Sequence, residues 1–316
     1  MTKREIITLE EHYLDREVAC RLAIQSSSPL IQKLEDFDDI RLQEMDEVGI
    51  DLQVLSHAPP GLQGVEASIA AELAMRVNDR LAAIVRGNPK RLAAFASLPT
   101  TDPGAAWREL DRCIEKLGYK GAIIHGMTGD LFIDDRRFWP IFEVAEKLDV
   151  PLYIHPADPH PAVTKTYFGD FTHSHPMFVR AAWGFTIETG TQAMRLVLSG
   201  ALEKYPAMKI ILGHFGEAIP FLLPRIDEAL SRDTPMKNFR DFFTRHFYVT
   251  TSGFFSDPAL LCCIQELGVD RIMFSVDWPY ASSRAGVDWI ESVALNEPDK
   301  RKICSENAKR LLRLGG

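Results

Sequence analysis

Residues 151–156 read Pro151-Leu152-Tyr153-Ile154-His155-Pro156, a short apolar run that stops on a histidine. Runs of this length and content are what strands buried on both faces look like. Seven more lie along the chain: Ile6–Leu9, Leu52–Ser56, Leu92–Leu98 and Gly121–His125 before it, and Met208–His214, Phe247–Thr251 and Arg271–Ser275 after it. The segments between them carry helical signals. Glu66–Val85 sets Ile69, Leu73, Val77, Leu81 and Ile84 on one face. Asp102-Pro103 offers a cap and a first-turn proline, Leu110, Cys113, Ile114 and Leu117 line one side, and Gly118 ends the helix. Asp257-Pro258 and Gly268 repeat the same start and stop, and Asp299–Leu314 closes the chain with Ile303, Ala308, Leu311 and Leu312 as its apolar contacts.

Strand and helix alternating eight times predict an α/β fold, a parallel sheet closed into a (β/α)8 TIM-type barrel. No Gly/Ser-rich or Pro-rich linker divides the chain, so residues 1–316 are expected to form one barrel domain. Two connections are too long to be plain turns: Tyr13–Phe37 after the first strand and Ala157–Val179 after the fifth. Segments of that kind usually act as lids or interface arms.

Composition narrows the field. With 46% hydrophobic and 25% charged residues, the chain has the make-up of a soluble globular protein. A net charge of −8 argues against nucleic acid or an anionic membrane as the main partner, while a pocket can still set a local field for an anionic substrate. Met1-Thr2-Lys3-Arg4-Glu5 is charged and the apolar run after it stops at Leu9, so no signal peptide is expected. No stretch is long and apolar enough for a bilayer, and a cytoplasmic location is expected. The five cysteines, Cys20, Cys113, Cys262, Cys263 and Cys304, form no CxxC pair and read as buried, reduced thiols.

The active site of such a barrel lies at the C-terminal ends of its strands. There the chain places Glu10-Glu11-His12, His57, Pro99-Thr100-Thr101, His125, His155, His214 with Glu217, Thr251-Ser252 and Asp277; five of the nine histidines gather at this one rim. Glu10 and His12 are two apart on an extended chain, so both point to the barrel mouth. With His155 and Asp277 they give two imidazoles and two carboxylates, a set that suits one Zn2+ or Mn2+ ion and leaves positions open for water or substrate. Glu217 is placed to orient His214, which then serves as acid, base or hydrogen-bond donor. Arg225 is suited either to grip a substrate carboxylate or to a surface salt bridge with Asp227 or Glu228. Two-metal barrel hydrolases carry a bridging lysine at the end of the fourth strand. Here that position is His125 and Lys120 precedes the strand, which favours one metal.

These stretches together resemble the amidohydrolase superfamily, in the branch of non-oxidative aromatic acid decarboxylases acting on γ-resorcylate, 2,3-dihydroxybenzoate and 5-carboxyvanillate. The matching segments are Leu9–His12, Arg41–Ile50, Tyr153–Pro156, Ile211–Pro220, Arg225–Asp227, Thr250–Gly253 and Arg271–Pro279. The resemblance implies a metal held by Glu10, His12, His155 and Asp277, and substrate-site roles for His214, Glu217 and Arg225. It further implies proton delivery to the ring by Asp277, and assembly as a homodimer or homotetramer. Two positions depart from the resorcylate-type pattern. His155-Pro156-Ala157 stands where those enzymes read His-Pro-Arg, and His125 stands where they carry Asn. Both departures face the expected pocket, which makes His125 a candidate substrate contact. The expected activity is decarboxylation of a small hydroxylated aromatic acid. The rival is hydrolysis of an amide or lactone by metal-activated water, which would use the same ligands.

Overall fold

The computed structural model describes residues 4–24, 28–233 and 238–315. Its strands are β1 (Ile7–Tyr13), β2 (Leu52–His57), β3 (Leu92–Ala94), β4 (Ala96–Ser97), β5 (Ala122–His125), β6 (Leu152–His155), β7 (Ile210–Leu212), β8 (Phe247–Thr250) and β9 (Ile272–Met273). Neighbours pair parallel and in chain order, β1 to β3 and β4 to β9. β3 and β4 are two halves of the predicted third run. At their junction the Phe95 amide donates back to Leu55 O (2.9 Å) and the Ala96 amide forward to Gly121 O (2.9 Å). One strand thus changes partner within a residue and carries the sheet across the break. Counted that way, the expected eight barrel strands are present.

Period-2 alternation divides the core. Val54, Ile123, Tyr153 and Ile211 turn inward with Ile7, Leu9, Phe95 and Met273. Their neighbours Leu55, Ile124, Ile154 and Leu212 turn outward onto Leu81, Leu110, Phe142 and Leu196 of the surrounding helices. Ala308, Leu311 and Leu312 of the helix Asn307–Leu312 join the inner cluster and stop the barrel at the N-terminal end of its strands. At the opposite end the seam between the first and last strands is fastened by the His12 amide on Trp278 O (2.7 Å) and the Glu10 amide on Ser275 Oγ (2.9 Å).

Several boundaries differ from the sequence reading. β1 runs on to Tyr13, so Glu10, Glu11 and His12 lie within it rather than after it, and its register against β2 shifts between Thr8 and Glu11. β9 is only two residues long, so Asp277 belongs to the turn beyond. The helix Ala67–Gly87 buries Leu73, Val77 and Leu81 as expected, together with Ala70 and Ala74, while Ile69 and Ile84 stay partly exposed. Asp102 caps the helix Pro103–Arg112 through Ala105 N (3.0 Å), but the helix Asp257–Leu267 is capped by Ser256 and not by Asp257. All five cysteines are free; Cys113, Cys263 and Cys304 are buried, whereas Cys20 is exposed. No helix among the described residues is long and apolar enough to cross a membrane.

The two long connections fold differently. The first carries the short helices Arg16–Arg21 and Pro29–Leu34, with residues 25–27 outside the described part. The second, after β6, winds through short helical turns; Phe168 is buried against Phe178 (ring centroids 5.0 Å apart), while Tyr167 and Phe171 are exposed. A two-pronged ion pair from Arg180 to Asp158 (2.8 and 2.9 Å) ties the two ends of that connection together.

Candidate metal centre

β1 brings Glu10 and His12 to the mouth, β6 ends on His155, and the turn after β9 supplies Asp277. Donor atoms of these four residues all lie within 4.8 Å of one another. Glu10 Oε1 stands 3.0 Å from His155 Nε2, and His12 Nε2 stands 3.1 Å from Asp277 Oδ1. Neither Glu10 Oε1 nor His12 Nε2, both buried, has a hydrogen-bond partner among the described residues. Donor atoms that approach this closely without bonding to each other are arranged as ligands around a shared cation. Burying the Glu10 carboxylate, with that of Asp277 half-buried beside it, costs on the order of several kcal/mol unless a counter-charge is present, and a divalent ion would supply it. The residues therefore fit a metal, as their sequence positions predict.

The far sides of Glu10, His12 and His155 are braced. The other oxygen of Glu10 accepts from Tyr153 Oη and from Ser252 Oγ, and Tyr153 Oη also lies 2.7 Å from Thr250 Oγ1. Gly213 passes so close that a Cβ there would come within 2.6 Å of Glu10 Oε2, which demands glycine at that position. His12 Nδ1 meets Ser56 Oγ at 3.2 Å. His155 Nδ1 donates to Pro156 O (2.7 Å), which fixes the ring with Nε2 turned toward the cluster, the orientation a metal ligand needs. Burial works against ionisation of Glu10, yet the imidazoles of His214, His155 and His12 outweigh it and hold its carboxyl well below the ordinary range.

His214 and Glu217 occupy an unusual turn. From His214 to Ala218 every φ is positive (48, 55, 78, 53 and 63°), a single left-handed turn in which only Gly216 is free of side-chain strain. Each non-glycine residue in that conformation costs about 1–2 kcal/mol. The turn lets Glu217 Oε1 reach His214 Nδ1 at 2.7 Å and aims His214 Nε2 at the cluster, 4.0 Å from Glu10 Oε1 and 3.9 Å from Asp277 Oδ2. Burial disfavours the imidazolium, but Glu217, Glu10 and Asp277 overcome it and hold His214 well above its ordinary pKa. The predicted pairing of Glu217 with His214 is thus present, though on a left-handed turn instead of a strand end.

His125 is buried behind His155, Nδ1 to Nδ1 at 3.0 Å, and contacts the cluster only through that ring; its Nε2 has no partner among the described residues. Arg225 is exposed on the helix Ile219–Asp233. Its expected alternative, a salt bridge with Asp227 or Glu228, does not form: Asp227 accepts from the Arg240 amide (3.0 Å) and Glu228 pairs with Arg232. Sequence reasoning missed Tyr153, Thr250 and Glu11. Tyr153 was legible in principle, because it lies two residues before His155 and so shares its inward face.

A family model described as amidohydrolase matches residues 26–314. A gamma-resorcylate decarboxylase of Polaromonas sp. is 39% identical over 98% of both chains. Another from Rhodococcus jostii is 37% identical over 89% of both. Among solved structures, a dihydroxybenzoic acid decarboxylase from Polaromonas sp. with bound manganese and the inhibitor 2-nitroresorcinol superposes with a TM-score of 0.91 at 36% identity, covering 99% of this chain and 98% of that one. The 5-carboxyvanillate decarboxylase of Sphingomonas paucimobilis gives a TM-score of 0.91 at 33% identity, over 98% and 99% of the two chains. This chain belongs to the amidohydrolase family, in the branch of its aromatic acid decarboxylases.

Proposed function

We propose that this chain is a carboxy-lyase that removes carbon dioxide from a small hydroxylated aromatic acid of the benzoate type, using one divalent metal ion. The observation that carries the reading is the cluster of buried Glu10, His12 and His155 with half-buried Asp277, on a chain that aligns over 98% of its length with a gamma-resorcylate decarboxylase. In this reading those four residues hold Mn2+ or Zn2+, and manganese is the ion in the Polaromonas relative. When bound, the ion supplies a positive field that draws in the substrate's carboxylate and neighbouring phenol oxygen.

The chain's own groups move the proton. Asp277 delivers it to the ring carbon that bears the carboxylate, since an aryl carbanion is too unstable to form first. The carbon–carbon bond then breaks, its electron pair restores the aromatic ring, and carbon dioxide leaves. His214, 3.9 Å from Asp277 Oδ2 and held by Glu217, is placed to return a proton to Asp277. Arg225, with no ion pair among the described residues, and His125, with an unpartnered Nε2, complete the reading as substrate contacts. We read residues 1–316 as one barrel domain working in the cytoplasm as a homodimer or homotetramer. The exposed Tyr167, Met177, Trp183 and Phe221 offer apolar surface for such assembly.

The test is turnover of a panel of hydroxybenzoates in deuterated water by the metal-loaded protein. Carbon dioxide release with one deuterium on the vacated ring carbon is expected. Amide or lactone cleavage without carbon dioxide release would overturn the reading in favour of a hydrolase.

A further inference from the structure

Glu11 lies between two of the clustered residues in sequence, yet its side chain points away from them and has no part in the reaction described above. Its carboxylate is wholly buried and spans the turn that carries Asp277. Oε1 accepts from the Val276 amide (2.9 Å) and Ser275 Oγ (3.2 Å), and Oε2 accepts from the Trp278 amide (3.2 Å). Asp277 sits between those two amides with φ of 70°, the left-handed region that a non-glycine residue adopts only when its surroundings impose it. One side chain of β1 thus supplies the acceptors on both sides of the strained residue.

Arg41, which also has no exposure, holds the next residue of the same strand. Its Nη2 donates to His12 O (2.6 Å), Nη1 to Gln53 Oε1 (3.0 Å) and Nε to Asp36 O (3.0 Å). Its guanidinium also lies 4.0 Å from the centre of the Trp278 ring, whose indole N–H donates to Glu44 Oε2 (2.7 Å). The main chain of His12 is consequently held at both ends, its amide by Trp278 O and its carbonyl by Arg41. We propose that Glu11 and Arg41 are a pair of positioning residues that set the separation of the Asp277 carboxylate and the His12 imidazole. The proposal rests on the reading that these two groups ligate a metal.

Glu11→Gln is the sharpest probe. An amide keeps the size but turns one acceptor into a donor, so it cannot serve the Val276 and Trp278 amides together, and the turn at Asp277 must shift. Arg41→Lys keeps the charge and loses both the fork and the stacking. The measurements are the Co2+ and Mn2+ dissociation constants and the visible spectrum of the Co2+-loaded protein. Leu311→Ala, a destabilising change at the far end of the barrel, serves as control. Both variants at the mouth are expected to bind metal about 10–100-fold more weakly than wild type, the usual cost of losing a group that orients a ligand. Their cobalt bands should shift, while the control keeps the wild-type constant and spectrum. If Glu11→Gln does not fold, Arg41→Lys carries the test. Wild-type affinity and spectrum in the folded variants would overturn the proposal. Failure of the wild type itself to bind either ion would overturn the underlying metal reading instead.

Discussion

The two ends of this barrel are built from the same strands and have opposite characters. At the N-terminal end the inward side chains Ile7, Val54, Ile123 and Ile211 pack on Ala308, Leu311 and Leu312, and apolar contact alone fills the space. At the mouth the inward positions become Glu10, His12, Tyr153 and His155, equally buried but polar; their outer atoms are hydrogen-bonded, while Glu10 Oε1 and His12 Nε2 face the cluster with no hydrogen-bond partner among the described residues. The difference teaches that burial here does two separable jobs. The closed end supplies stability and tolerates inexact contact, whereas the mouth spends stability on strained backbone, at Asp277 and along His214–Ala218, to aim a few atoms.

Mutations should separate those jobs. The largest effect is expected from His155→Ala, which removes one imidazole of the cluster at the mouth. Metal content should fall from about one ion per chain toward zero and turnover by more than about 100-fold, as read by elemental analysis and rate assay. Retained metal and activity would break the contrast outright. Leu311→Ala at the closed end should do the reverse, costing about 2–5 kcal/mol in denaturant unfolding with metal content unchanged. A loss of metal in that variant would show that the two ends are coupled.

Smaller effects sharpen the picture. Arg225→Lys keeps the charge and loses the paired hydrogen bonds, so substrate binding should weaken by about 1.5–3 kcal/mol while stability stays put. Unchanged KM and kcat would remove Arg225 from the substrate site. Ala218→Gly relieves one left-handed residue at the end of the His214 turn. It should stabilise the fold by about 1 kcal/mol, roughly 2 °C in Tm, because glycine adopts that conformation without a Cβ clash. A drop in stability would mean that the turn is not strained at that point.

The strands were legible because two-sided burial leaves continuous apolar runs, and the rim because histidine is rare enough for five at strand ends to stand out. The metal cluster followed from those two facts. What stayed hidden was whatever depends on backbone conformation or on residues that look ordinary. Tyr153 reads as one more apolar strand residue until its hydroxyl is seen on Glu10. Glu11 reads as a spare carboxylate beside a better candidate, because its partners are main-chain amides that sequence does not display. The left-handed turn is hidden for the same reason: four of its five residues carry side chains that ordinarily avoid it.

The seam at the mouth also dictates when the site can come into being. Glu11 grips an amide 267 residues further along the chain, and the stopper at the opposite end comes from Asn307–Leu312. During synthesis from the N-terminus, β1 leaves the ribosome with Glu10 and His12 but nothing to fasten them. Their partner turn emerges only after nearly all of the sheet, and contacts this distant in sequence form slowly. A nascent chain halted before Asp277 would hold three of the four clustered residues and an open sheet edge, so the cluster is completed only at the final stage of folding.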